Sequence, residues 1–175
     1  MTNFEFIIRP ATHDDYGCLC ELFEELDALH RTARPELFFA PAGAVRDLNY
    51  VRELIDGPRS TILVASPRHA SEAVQSLYGL ATLIIRTMPA VQVRRARRFL
   101  EVDNFVVRTG ARRQGVGRAL MNAAIAWSRT EAIGAVELAV HEFNTGALAF
   151  YEAVGFKTQG RRMACISGDS VPAPD

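Results

Sequence analysis

The sequence predicts an α/β fold, a mixed central sheet flanked by helices, and three observations predict it. Short β-rich runs alternate with longer stretches whose apolar residues recur at helical spacing. Three strand-like runs stand together in the middle of the chain, as in antiparallel neighbours. The last of them leads through a glycine-rich turn into a long amphipathic helix and then another strand, the pattern of a parallel crossover.

The elements follow in order. Phe4, Phe6 and Ile8 alternate with Glu5, Ile7 and Arg9, which suits a first strand stopped by Pro10. Thr12 with Asp15 three residues on predicts a helix N-terminus. Tyr16, Leu19, Leu22, Phe23, Leu26 and Leu29 supply its apolar stripe. A proline-interrupted surface loop is expected from His30 to Pro41. Val45, Leu48, Val51, Leu54 and Ile55 mark a second helix, ended at Gly57-Pro58 by glycine C-cap chemistry. Thr61–Ala65 and Leu80–Ile85 read as strands joined by a polar loop, and an arginine-rich loop, Arg86–Arg98, follows. Phe99–Val107 is the strand before the turn. The long helix carries Val116, Ala119, Leu120, Ala123, Ala124 and Trp127. Val136–Val140 is a strand, Thr145–Ala153 a short helix capped by Gly155, and Lys157–Ile166 a last strand. One domain is expected over 1–166, with a mobile tail over 167–175.

Composition narrows the class. The 175 residues carry 20 basic and 20 acidic side chains, so global charge does not suggest a nucleic-acid scaffold. No apolar run approaches the roughly 20 residues that span a bilayer, and the first residues lack the features of a signal peptide. Three cysteines do not make a disulfide framework, so a cytoplasmic setting is expected. Cys18 and Cys20 are two apart on a helix and share no face, and no matching histidine pair exists, so no metal site is expected.

The turn Arg112-Arg113-Gln114-Gly115-Val116-Gly117 carries the chemistry. Glycine lets backbone approach a ligand, the first helical turn offers free N–H groups, and the helix dipole favours an anion. Arg112, Arg113 and Arg118 add positive charge. These features predict a ligand bearing pyrophosphate. A P-loop lacks its Gly-Lys-Ser/Thr here, and a dinucleotide fingerprint lacks its third glycine, where Leu120 stands.

Downstream, Asn144 to Phe156 reads N-x-x-A-x-x-F-Y-x-x-x-G-F. With R-x-x-G-x-G, one helix and one strand earlier, it resembles the GNAT superfamily of N-acetyltransferases over about Phe99 to Phe156. The resemblance implies a sheet of about six to seven strands with about four helices, its fourth and fifth strands splayed around the pantetheine arm of acetyl-CoA. It implies that Arg112, Arg113, Gln114, Gly115, Val116, Gly117 and Arg118 form the pyrophosphate loop. Backbone groups of Phe105, Val106 and Val107 would meet the thioester and pantetheine. Asn144 would tie the splayed strand to nearby cofactor groups, with a helix N-cap as the alternative. Tyr151 would lie near the coenzyme sulfur, with packing beside Phe150 and Phe156 as the alternative.

The implied reaction is direct transfer of acetyl from acetyl-CoA to a primary amine in a ternary complex. A lysine-like amine is neutral in only about one molecule in 2,500 at pH 7, so a base is needed. Alternation places Glu101 and Asp103 on the strand face of Phe105 and Val107. Glu101, Asp103, His141 and water are the candidates, Glu101 first among them. Tyr151, Glu101 and Asn144 form the expected catalytic set. The acceptor, a small molecule or a protein amine, would meet His30–Pro41, Arg86–Arg98 and Lys157–Met163. No membrane or nucleic-acid partner is expected, and a homodimer stays open. Two rival readings are a non-catalytic acyl-CoA sensor of the same fold and an RNA-acting protein using Arg94, Arg95, Arg97 and Arg98.

Overall fold

A computed structural model describes residues 4–44, 46–68 and 76–164. The chain runs β1 (Phe6–Pro10), α1 (Tyr16–Ala33), α2 (Leu48–Asp56), β2 (Ser60–Pro67), β3 (Gly79–Met88) and β4 (Arg97–Val107). It continues through α3 (Val116–Thr130), β5 (Val136–Leu138) and α4 (Thr145–Ala153). The sheet order is β1-β2-β3-β4-β5. The first four strands pair antiparallel, and β4 pairs parallel with β5 through the α3 crossover.

Alternation sends each strand's apolar residues to two cores. Leu63, Ala81, Leu83, Leu100 and Val102 face α3, where they meet Val116, Leu120 and Ala124. Ile62, Val64, Leu80 and Val106 face the other way, against Leu19, Leu22 and Phe23 of α1 and Val51 and Leu54 of α2. Phe23 is wholly buried; truncating such a ring to alanine typically costs about 3–5 kcal/mol.

The start of α1 is fixed by Asp15. Its carboxylate accepts 2.7 Å bonds from both Arg9 terminal nitrogens and a 2.8 Å bond from the Thr12 N–H. Burial pushes its pKa up, but those bonds outweigh it and hold the carboxyl below its usual value. The end of α4 is a Schellman turn. The Gly155 N–H donates to the Glu152 carbonyl at 3.0 Å and the Phe156 N–H to the Tyr151 carbonyl at 2.9 Å. Gly155, at φ +98°, takes the left-handed conformation this closure needs.

Several expectations are corrected. The described residues hold five strands rather than six to seven. Residues 157–164 pair with no strand, and β5 stops at Leu138 rather than Val140. Residues 165–175, which include Cys165, the end of the expected last strand and the tail, lie outside the described residues. Helix α1 continues to Ala33 and absorbs the start of the expected loop. Gly57 has φ −68°, so it does not end α2 by a left-handed cap. A Cβ there would sit 2.5 Å from the Glu53 carbonyl oxygen, and close approach is what excludes a side chain.

The pairing of β3 with β4 slips once. Thr82 lies opposite Asn104 and Leu83 opposite Val102, leaving Asp103 as the extra residue of a β-bulge. The β4–β5 ladder holds only three pairs, the last being Val102 with Leu138. The two strands therefore part where the bulge begins.

Candidate active site

The bulge reverses the alternation along β4. Leu100 and Val102 before it and Phe105 and Val107 after it all pack toward α3. Glu101, between Leu100 and Val102, then belongs to the opposite face, toward α1 and α2. The expectation that Glu101 and Asp103 share a face with Phe105 and Val107 is wrong, because one inserted residue shifts the period by one.

Beyond the bulge the gap between β4 and the β5–α4 turn is lined by aromatic rings. Phe105 stacks on Phe150 with ring centres 5.6 Å apart and meets Tyr151 edge-on at 6.1 Å. Tyr151 also touches Phe156 at 5.8 Å. Burial among these rings pushes the Tyr151 phenol up to about 12, so it is protonated throughout the physiological range. Asn144 caps α4: its Oδ1 accepts from the Ala147 N–H at 3.1 Å.

The glycine turn opens at one end of this gap. Gly115 sits at φ +86°, and Arg113 also has positive φ, at 64°. The first bond of α3 runs from the Ala119 N–H to the Gly115 carbonyl at 3.0 Å. The N–H groups of Val116, Gly117 and Arg118 precede it and form the unbonded first turn. A Cβ on Gly117 would meet the Phe150 ring at 3.4 Å, an ordinary contact. The protein itself leaves room there, so the glycine keeps the approach to the helix end open.

The arginines around this turn divide into two groups. Arg112 donates from Nε to the Val107 carbonyl at 3.0 Å and from Nη2 to Glu25 at 3.3 Å. The same Glu25 oxygen accepts from the Thr109 N–H at 2.8 Å and its hydroxyl at 2.5 Å. Arg108 reaches Glu21 at 2.7 Å and the Leu77 carbonyl at 3.0 Å. Glu21 and Glu25, one turn apart on α1, thus tether the turn, a role that nothing in the sequence announced. Arg113 and Arg118 are exposed and enter no ion pair among the described residues.

On the face toward α1 and α2, Arg86 donates to Glu101 at 2.5 Å and Arg46 donates to Asp27 at 2.7 Å. Asp103 enters no salt bridge among the described residues. It accepts from Asn104 Nδ2 at 2.6 Å. Partial desolvation, then the like charge of Glu101, raises its carboxyl above the usual value, opposed by Arg86, Arg46 and that hydrogen bond. His141, the third base candidate, is exposed and lies in a ring cluster with His30, Phe38 and Phe143. Phe143, an isolated ring in a turn, carries no periodicity in the sequence, and His30 stands in the last turn of α1.

The arginine-rich hairpin is partly structural. Arg97 pairs with Glu137 and lies 4.5 Å over the Phe99 ring. Arg98 donates to the Glu131 carbonyl at 2.9 Å. Arg94 and Arg95, at the tip, are exposed and enter no ion pair among the described residues. Among the described residues no three His, Cys, Asp or Glu side chains gather as a metal-binding group. No helix among them is long and apolar enough to cross a membrane.

The comparisons agree with this geometry. The model of the acetyltransferase (GNAT) family matches residues 23–156. The tetramutant of the BH1408 protein from Bacillus halodurans superimposes with TM-score 0.81 at 24% identity, covering 91% of this chain and 99% of that one. An acetyltransferase from Trypanosoma brucei gives 0.65 at 22% identity, covering 93% and 99%. Glucosamine-6-phosphate N-acetyltransferase from Arabidopsis thaliana gives 0.65 at 16% identity, covering 94% and 99%. At these identities the likeness is one of fold. No curated protein matches.

Proposed function

The chain belongs to the acetyltransferase (GNAT) family, and on that premise we propose that it moves an acetyl group from acetyl-CoA to a primary amine by direct attack in a ternary complex. The observation that carries this reading is the joining of two features across one gap. An open helix N-terminus lies at the mouth, and a half-buried phenol stands inside it beside Phe105.

The residues fit the cosubstrate. The N–H groups of Val116, Gly117 and Arg118, with Arg113 and Arg118 as free cations, would hold the pyrophosphate. Arg112 and Gln114 complete the turn, with Arg112 holding its shape through Val107 and Glu25. Backbone groups of Phe105, Val106 and Val107, left without a β5 partner by the splay, would meet the pantetheine arm. Acetyl-CoA supplies an acyl group activated as a thioester.

In the transfer, the amine nitrogen bonds to the acyl carbon and the carbon–sulfur bond breaks, its electron pair leaving on sulfur. The proton shed by nitrogen passes to a carboxylate of the bulge, directly or through water. Asp103, its carboxyl raised, is better matched to that task than an ordinary surface carboxylate. Glu101, held by Arg86, supports it as a neighbouring charge. Tyr151 serves the other end. A phenol at about 12 does not give its proton outright to a thiolate whose acid has a pKa near 8.5. It donates a hydrogen bond to the developing thiolate, which takes its proton from solvent on release. Asn144 fixes α4, and with it Tyr151.

The setting this reading supposes is a reducing one such as the cytoplasm. The test is an amine panel followed by CoA release, with acetyl-CoA binding measured by calorimetry. Binding together with amine-dependent release supports the reading. Binding without release over a broad panel replaces it with a sensor module, and absence of binding ends it.

A further inference from the structure

The acceptor side holds two features that a bare amine does not need. The first is a wall of rings where the end of α1 meets the β5–α4 turn. His141 and Phe143 lie nearly parallel, 19° apart, with centres 5.3 Å from each other. His30 and Phe38 stand more nearly edge-on to them and to each other, at 5.2 to 5.7 Å. The Leu26 carbonyl accepts from His30 Nδ1 at 2.9 Å, which fixes that ring. His141 is exposed and Phe38 and Phe143 are only half-buried, so the set is open on one side. Leu37 and Phe39 beside it are 57% and 82% exposed, an apolar rim that solvent alone does not explain.

The second feature is a carboxylate outside any salt bridge among the described residues. Asp27 is answered by Arg46 and Glu101 by Arg86, while Asp103 has no salt bridge among the described residues. The two features are neighbours. Asp27 and His30 are one turn apart on α1. Arg46, bound to Asp27, also reaches Asn104 at 3.5 Å, and Asn104 donates to Asp103.

We infer that the acceptor is a primary amine on a short arm from a flat aromatic group, its ring against Phe38, His141 and Phe143 and its ammonium at Asp103. This rests on the acetyl-transfer reading above and names the substrate class of that same site. A further ring completes an edge-to-face set at the wall. One free carboxylate fits one ammonium, whereas a polyamine needs several.

The experiment compares 2-phenylethylamine, n-butylamine and spermidine at saturating acetyl-CoA. The aromatic amine should exceed butylamine in kcat/KM by about tenfold or more, as two ring contacts would give. Spermidine should fall with butylamine. Phe38→Leu and Phe143→Leu should bring the phenylethylamine-to-butylamine ratio toward one. Asp103→Asn should lower kcat/KM for both amines by about tenfold and keep their ratio. Melting curves check that each variant folds; Phe38, outside any helix or strand, is the substitution least costly to the core. A wild-type ratio near one, a ratio unmoved in both leucine variants, or bound acetyl-CoA with none of the three amines turned over would overturn the inference. Failure of acetyl-CoA to bind in calorimetry would instead bring down the transfer reading, and this inference with it.

Discussion

On the α3 side of the β4–β5 gap, the groups offered to a ligand are consecutive backbone N–H groups, Val116 to Arg118, shaped by Gly115 at φ +86°. On the α1 side they are side chains from separate stretches: His30 and Phe38, Asp103, and His141 and Phe143. A site made of backbone must write itself into a short run of sequence, because only particular residues allow the conformation. A site made of side chains can be assembled from anywhere the fold brings together. On the proposed reading the first would bind what a whole family shares, and the second is free to differ from member to member.

The most severe test of this division is Gly117→Asp. The protein has room for a Cβ there, so the variant should fold. Its carboxylate at the helix end should weaken acetyl-CoA binding by about a hundredfold or more, read by calorimetry. Near-normal binding would remove the α3 N-terminus from the phosphate role. Next in size is Tyr151→Phe. Loss of the hydrogen bond to sulfur should lower kcat about tenfold while acetyl-CoA affinity stays nearly constant. If turnover does not change, Tyr151 belongs to the packing of α4 alone.

Smaller effects sharpen the boundary between the two sides. Glu25→Ala releases Thr109 and Arg112, and should weaken acetyl-CoA binding by about threefold to tenfold, since charge-assisted bonds that order the turn are lost. Glu25→Gln keeps an acceptor for Thr109 and should restore most of that affinity. Equal loss in both variants would mean that the charge, not the tether, matters. The smallest effect concerns Asp103. Its raised pKa means the folded protein binds this proton more tightly than the unfolded chain does. The ionised carboxylate therefore costs stability above the folded pKa, and the cost vanishes as pH falls below the ordinary carboxylate value. Asp103→Asn should melt higher than wild type near pH 7, by on the order of one or two degrees for so exposed a group. That gap should close toward pH 3. A constant gap across pH would assign the effect to packing.

Much of the fold was legible because period and punctuation report it. The stripe from Tyr16 to Leu29 gave α1, and Gly155 marked the end of α4. Where the expectation failed, the cause was local. At Gly57 the residue type suggested a left-handed cap, but the chain uses glycine to pass close to the Glu53 carbonyl. At Asp103 nothing in the residue types announces an inserted position, since the bulge depends on how β3 and β4 register. That one residue carried Glu101 to the opposite face from its expected neighbours. The Arg112–Gly117 turn was legible as a motif, yet Arg112, expected there to add positive charge, is tied to Glu25 and Val107. His141 and the segment His30–Pro41 were legible one by one, but not the wall, because its four members are spread from residue 30 to residue 143.

Helix α1 reaches both sides. Glu21 and Glu25 grip the turn before α3, and His30, five residues after Glu25, stands in the ring wall. Five residues rise about 7.5 Å along a helix, less than half the length of this one. An unbroken helix over that distance moves as a strut. Any displacement of the turn that Glu21 and Glu25 hold is therefore coupled to His30. On the proposed reading, one helix therefore links the cosubstrate side of the gap to the acceptor side.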